Sequence, residues 1–417
     1  MTILVFVPYY LPGFKSGGPA RSIANLVAHL GADLHFVIAT ADRDSGDPGP
    51  YPGITPGARH RVGGAEVIYL SAAQRRPAAI AALLREVRPD AVYLNSFFSR
   101  PFSLSVVLQR RLGRIPSVPI VLAPRGEFSP GALQIKAQRK RAWLAASRAL
   151  RLHRDITWQA STALEAADIA RAMGRVEDDG RSRVVVAPII ASPEPPAAGR
   201  VRDAATPPRR RKEADHLRVA FLSRLSPKKN LLGALQILAG VQGSLEFNIF
   251  GPIEDEKYWR ACRVAIDGLP ANVRATYRGA VVPDQVPAVF AQHDLFFFPT
   301  LGENYGHVIR EALAAGTPVL VSDQTPWRDL CAAQVGFDLP LDRPEAFRAT
   351  LQTCIAMDAA SFADWSARAA RYAWAHASEA GTVEASRRLF RLAAGTAGGR
   401  AGAEATPIAT EPHGTTR

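Results

Sequence analysis

A chain of 417 residues exceeds the roughly 250 to 300 that one hydrophobic core holds, so two domains are expected. Its 47% apolar and 21% charged residues exclude disorder or a fibre as the main state. The formal charge of +13 is uneven: residues 1–200 hold 26 Lys and Arg against 15 Asp and Glu, residues 201–417 hold 25 against 23, and such a bias suits an anionic partner for the first half.

The chain opens on Thr2-Ile3-Leu4-Val5-Phe6-Val7, which reads as a buried strand and lacks the basic leader and cleavage site of a secretory signal. Short runs of Val, Ile, Leu and Phe then recur between longer helical patterns, as in parallel strands buried on both faces and joined by crossover helices. Strands are predicted near 2–7, 34–39, 66–70, 91–94, 119–123, 156–158 and 184–186, with helices at 19–30 and 77–87 among them. Residues 191–216 are dense in Pro and Arg and form the expected linker, with Arg209-Arg210-Arg211-Lys212 read as a solvated loop.

After the linker the alternation restarts, with strands predicted at 217–222, 245–250, 273–277, 295–298 and 318–321 and helices near 230–239, 255–266 and 307–315. Three helical segments follow, near 343–357, 361–377 and 381–394, before a Gly-, Ala- and Thr-rich tail with too little apolar surface to fold. The expected units are therefore a domain over 1–190, a second over 217–377, a helix over 378–394 and a disordered tail over 395–417. No apolar run reaches the roughly 18 to 20 residues that cross a bilayer. Cys262, Cys331 and Cys354 lack metal-ligand or disulfide spacing and suit a reducing compartment, the cytoplasm.

The most informative stretch is Pro299-Thr300-Leu301-Gly302-Glu303-Asn304-Tyr305-Gly306-His307-Val308-Ile309-Arg310-Glu311. It leaves an apolar strand and opens a helix, and ligands of open α/β sheets collect at the carboxyl ends of strands. A helix opening near Gly306 presents free N–H groups and a positive dipole end, both suited to phosphate. Glu303 stands before that helix and Glu311 a turn or more inside it, so a diphosphate at the helix end would lie between two acceptors for sugar hydroxyls. Taken singly, Glu303 also reads as a residue favoured by the dipole and Glu311 as a surface position. At the matching place after the first strand of the second half, Arg224 and Lys229 flank a turn in Ser223-Arg224-Leu225-Ser226-Pro227-Lys228-Lys229-Asn230, where a fork and a point charge can grip one anion.

These motifs resemble the donor site of the retaining glycosyltransferases of family 4, and Gly17-Gly18-Pro19-Ala20-Arg21 is similar to that family's N-terminal glycine loop. The resemblance implies a GT-B fold: two Rossmann-like α/β domains facing across a cleft, with the C-terminal helix crossing back to the first. It implies a nucleoside-diphosphate sugar as donor and a saccharide or lipid-linked acceptor. Arg224 and Lys229 would hold the diphosphate, Glu303 the sugar and Glu311 the ribose. The Gly17-Gly18 loop and the backbone of Tyr305, Gly306 and His307 would complete the donor cradle. Asn304 stands where a glycine is common.

The first half departs from the family pattern, since two frequent histidine positions hold Asn95-Ser96 and Arg125. Asn95, Arg125 and Glu127 are the acceptor-side candidates, and an internal ion pair between Arg125 and Glu127 is the competing reading. Residues 136–154 carry seven Lys or Arg and no acid, a pattern compatible with anionic lipid or with the solvated side of a crossover helix. Ser161 or Thr162 suits a helix cap, with Glu165 its partner or an acceptor ligand. No Asp-x-Asp motif stands at a strand end of the expected cleft, so no metal or cofactor is required. The alternatives are a nucleotide-sugar epimerase and a non-enzymatic binder of membrane or polyanion; nucleic acid is not expected, because it gives the paired Glu residues no use.

Overall fold

In the computed structural model, residues 1–174, 183–191, 209–375 and 379–395 are described. Two sheets account for the chain. The first comprises β1 (Thr2–Phe6), β2 (His35–Ala41), β3 (Arg59–Val62), β4 (Ala65–Leu70), β5 (Ala91–Asn95), β6 (Ile120–Ala123), β7 (Ile156–Ala160) and β8 (Arg183–Val186). Its order is β3-β4-β2-β1-β5-β6-β7-β8. The second comprises β9 (His216–Leu222), β10 (Ser244–Phe250), β11 (Val273–Gly279), β12 (Leu295–Phe298), β13 (Val319–Ser322) and β14 (Gly336–Leu339), in the order β11-β10-β9-β12-β13-β14. Every pairing is parallel except β3 with β4.

Strands covered on both faces must be apolar throughout, and Ile3 to Phe6, Ala91 to Leu94 and Leu295 to Phe298 are all at most 1% exposed. Burying each such Leu, Ile or Phe contributes about 1.5–3 kcal/mol. In the first sheet β1 lies between β2 and β5; in the second β9 lies between β10 and β12. The chain thus leaves β1 and β9 in one direction and later returns on the other side, which opens a crevice beyond the carboxyl end of each central strand.

The helix Glu379–Gly395 crosses back to the first domain, as expected. Leu389, Phe390 and Ala393 join the core that holds Ile3, Val5, Phe36 and Tyr93, with the Phe390 ring edge-on to Tyr93 at 5.3 Å. The expected tail lies outside the described residues from 396 on, and so do linker residues 192–208. Arg210 and Arg211 are exposed, as expected of a solvated loop, but Arg209 and Lys212 are not. The Arg209 guanidinium donates to Ala315 O and Thr317 Oγ1 at 3.1 Å, and the Lys212 Nζ donates to Glu213 O, His216 O and Ile355 O. These cations serve as carbonyl caps of the second domain, a use that a run of like charges does not advertise.

Within the basic stretch the helix spans Ala137–Ala149, and its apolar Trp143 and Leu144 pack on the first core. Arg139, Arg141 and Arg148 stay exposed. Cys262 and Cys354 are buried free thiols and Cys331 is exposed. No helix among the described residues is long and apolar enough to cross a membrane.

Candidate functional site

The crevices of the two sheets face one another and enclose a cavity of about 360 Å³. Arg224, Lys229, Glu303, Tyr305, Gly306, His307 and Glu311 line it from the second domain, and Gly17, Gly18 and Arg125 from the first. Asn95 and Glu127 do not reach it.

The turn after β9 carries the two cations. Pro227–Lys229 is one turn of 3-10 helix, ended by Asn230 in the left-handed region, so Lys229 is held toward the end of β12. Its Nζ donates to Glu303 Oε2 at 2.5 Å and lies 5.4 Å from the centre of the Phe298 ring. Arg224 Nη1 donates to Glu254 Oε1 at 2.7 Å, and both side chains are more than a third exposed or close to it, so the guanidinium can exchange partners. Burial pushes the Glu303 carboxyl up, but Lys229, Lys228 and the Asn304 N–H outweigh it and hold it at about 2. Glu303 is ionised at any neutral pH.

The helix His307–Ala314 starts at Gly306, whose φ of 78° and surroundings both demand glycine. A Cβ there would lie 2.8 Å from Ile309 Cδ1 and 3.0 Å from Trp327 Nε1. Trp327 Nε1 donates to Tyr305 O at 2.7 Å and fixes the approach to the helix. Ile309 N and Arg310 N donate to Gly306 O, so the N–H groups at the start of the helix, at His307 and Val308, are the ones that stand at the cavity wall for a ligand. Burial, then the charge of Arg21, pushes the His307 imidazole down to about 3, so it is neutral.

The glycine loop after β1 meets this helix directly. Gly17 has φ 74°, and a Cβ on it would be 3.8 Å from Arg224 Nε. Ser22 Oγ lies 2.9 Å from His307 Nε2, and Arg21 forms an ion pair with Glu311. Arg21 ends the glycine-loop motif read from the sequence but was given no role of its own there, and Ser22, the next residue, was not singled out.

The acceptor-side candidates separate. Arg125 and Glu127 form no ion pair. Arg125 donates to Asn95 Oδ1 at 2.8 and 3.1 Å and to Tyr93 OH at 2.7 Å, and Asn95, 1% exposed, sits beneath it as a support. Glu127 turns the other way and accepts from Ser96 Oγ at 2.7 Å, Phe97 N at 2.5 Å and Phe98 N at 3.1 Å. Burial raises its pKa against those bonds. Thr162 caps the helix Ala163–Met173, while Glu165 accepts from Ser161 N and Gly126 N, both at 2.7 Å, and so holds the loop that carries Arg125.

Two polar contacts cross the cleft beside Glu303: Asn304 Nδ2 donates to Ser161 Oγ at 3.0 Å, and Lys228 Nζ approaches Gly126 O at 3.4 Å. Asn304, where a glycine was expected, thus tethers the two domains. Among the described residues no group of three or more His, Cys, Asp or Glu could hold a metal ion.

Comparison with known proteins agrees with this architecture. Residues 204–371 match the family described as Glycosyl transferases group 1. A GDP-mannose-dependent alpha-mannosyltransferase of Mycolicibacterium smegmatis is 27% identical over 359 residues, covering 82% of this chain and 85% of that protein. Among solved structures, sucrose-phosphate synthase from Thermosynechococcus elongatus superposes with a TM-score of 0.67 at 16% identity, covering 94% of this chain and 98% of that one. HepE from Anabaena, solved in complex with UDP and glucose, superposes with a TM-score of 0.62 at 16% identity, covering 93% and 98%. The fold is GT-B.

Proposed function

We propose that this protein moves a sugar from a nucleoside-diphosphate sugar to an acceptor hydroxyl with retention of anomeric configuration, in the making of a cell-surface polysaccharide or glycolipid. One observation carries the reading: two cations, a helix amino end and two carboxylates, drawn from the loops after β9 and β12 and the helix that follows the second, line a single cavity between the domains. The match of residues 204–371 to group 1 glycosyl transferases and the likeness to a mannosyltransferase support it.

In this reading Arg224, Lys229 and the first N–H groups of the helix at His307 hold the diphosphate. Breaking the glycosidic C–O bond leaves negative charge there, and donors already in position stabilise it without reorganising. Glu303, ionised, accepts from hydroxyls of the sugar; Glu311 accepts from the ribose. No metal ion forms part of this proposal. A nucleotide-sugar epimerase would need no second substrate and finds no support in the group 1 match.

Arg21 pairs with Glu311, so a bound nucleotide shares that carboxylate with the guanidinium or takes it over. Calorimetry with UDP and GDP tests the assignment. Glu311→Ala removes two hydrogen bonds at most and should weaken the preferred nucleotide about tenfold or more. Undiminished affinity in that variant would sink the ribose role, and failure of the wild type to bind either nucleotide would sink the donor reading.

The membrane reading rests on charge alone, because Trp143 and Leu144 are committed to the core. Arg139, Arg141 and Arg148 would touch anionic lipid from the outside of the first domain. Flotation with phosphatidylglycerol vesicles should succeed at low salt and fail at high salt. Equal recovery with neutral vesicles would count against it.

A further inference from the structure

The cations around the cavity are not equivalent. Arg21 is paired with Glu311, Arg224 with Glu254, Lys229 with Glu303 and Lys15 with Asp47. Arg125 and Lys228 also line the cavity, and neither has a carboxylate within ion-pair distance among the described residues. The carbonyl that Lys228 Nζ approaches at 3.4 Å belongs to Gly126, the residue after Arg125.

Both are held there at a cost. Arg125 has φ 57°, a conformation that bulky residues rarely adopt and that recurs at ligand clamps. Its Nε and Nη2 are fixed on Asn95 and Tyr93, which aims the guanidinium rather than neutralising it. Burial, then Lys229 close by, pushes the Lys228 ammonium down to about 8. One long contact to a carbonyl does not repay the desolvation of an ammonium beside a second one. An anion would.

The diphosphate is already provided for by Arg224, Lys229 and the helix end. Arg125 lines the cavity from the first domain, and Lys228 reaches from the second to the Gly126 carbonyl of the first. Gly126 also lines a second hollow of about 220 Å³ that shares Glu303 and Asn304 with the main cavity. We propose that Arg125 and Lys228 form a second anion subsite, distinct from the diphosphate grip, for a carboxylate or phosphate carried by the transferred sugar or by its acceptor. The proposal takes the place of the diphosphate from the donor reading above.

The test is titration of inorganic phosphate into protein saturated with UDP or GDP, followed by calorimetry. The wild type should take up one phosphate. Lys228→Gln and Arg125→Gln should weaken it about tenfold or more, as for loss of a charged hydrogen bond, while nucleotide affinity moves less than about threefold. Lys228→Arg keeps the charge and should retain phosphate binding, which separates the anion role from damage to the fold. Two further titrations distinguish the source. If UDP-glucuronate loses affinity in the Gln variants and UDP-glucose does not, the anion belongs to the donor sugar. If both behave alike and phosphate still binds protein loaded with UDP-glucose, it belongs to the acceptor. No phosphate uptake by nucleotide-loaded wild type, together with equal response of the two sugar nucleotides, overturns the proposal. Should neither UDP nor GDP bind, the donor reading fails by itself. Phosphate titrated into the free protein then decides the pair: uptake lost in Lys228→Gln upholds it, and no uptake overturns it.

Discussion

Alanine at Lys229 is expected to lower sugar transfer about 10²- to 10³-fold, the usual consequence of deleting one prepositioned donor to a developing negative charge. Alanine at Arg224 should cost a similar factor, but the two variants should differ in pH dependence. Lys229 is the largest of the attractions that hold Glu303 at about 2, below its ordinary 4.5. A carboxylate with a depressed folded pKa contributes stability that is present above 4.5 and lost as pH falls through about 2. Without Lys229, burial acts on Glu303 with less opposition and its pKa rises. The residual activity of Lys229→Ala should therefore fall away at a higher pH than that of the wild type, while Arg224→Ala, whose guanidinium pairs with Glu254, should keep the wild-type acid limb. Rates measured from pH 4 to 8 read this directly. Wild-type turnover in both variants would remove the diphosphate grip from the proposal.

How much of this was legible in the sequence depends on whether a residue's role is local. Strands β1, β5 and β12 announce themselves because a strand covered on both faces has no polar positions to spare. By contrast β3 reads Arg-His-Arg-Val and is invisible to that test; it exists because it pairs antiparallel with β4 and because Arg59 bridges Glu66 and Glu86. The loop from Gly302 to Gly306 was readable because its glycines, its helix and its neighbouring strand lie within a few residues. Arg21 and Lys228 were not, since what makes them notable is the other domain: Glu311 for one, the Gly126 carbonyl for the other. Arg125 and Glu127 show the same limit from the opposite side. Their spacing allowed an ion pair, but Asn95 and Tyr93 claim the arginine, and the backbone of Phe97 and Phe98 claims the acid.

The largest loss of stability is expected far from the site, at Asp294→Ala. Asp294 and Arg218 are each 2% exposed and meet in a two-pronged pair, Nη2 to Oδ1 at 2.8 Å and Nε to Oδ2 at 2.9 Å, while the backbone N–H of Arg218 also donates to Oδ2. The pair joins the amino ends of β9 and β12, the two strands whose carboxyl ends carry Arg224, Lys229 and Glu303. Deleting the acid leaves the buried guanidinium with only the exposed Glu213, 3.8 Å from its Nη1, as counter-charge, and breaking a buried pair in this way typically costs 3–5 kcal/mol, or roughly 6–20 °C in midpoint for a domain of this size. The double replacement Arg218→Met with Asp294→Leu should recover most of that loss, because two apolar side chains avoid the desolvation that the ion pair must offset. Nucleotide affinity measured well below the transition should be unchanged in the double variant, since the cavity lies at the opposite end of both strands. A midpoint for Asp294→Ala within 2 or 3 °C of the wild type would mean that the buried arginine finds another partner. Glu213, whose Oε1 already lies 3.8 Å from its Nη1, is the carboxylate at hand, beside Arg211 O, which accepts from its Nη2 at 2.6 Å.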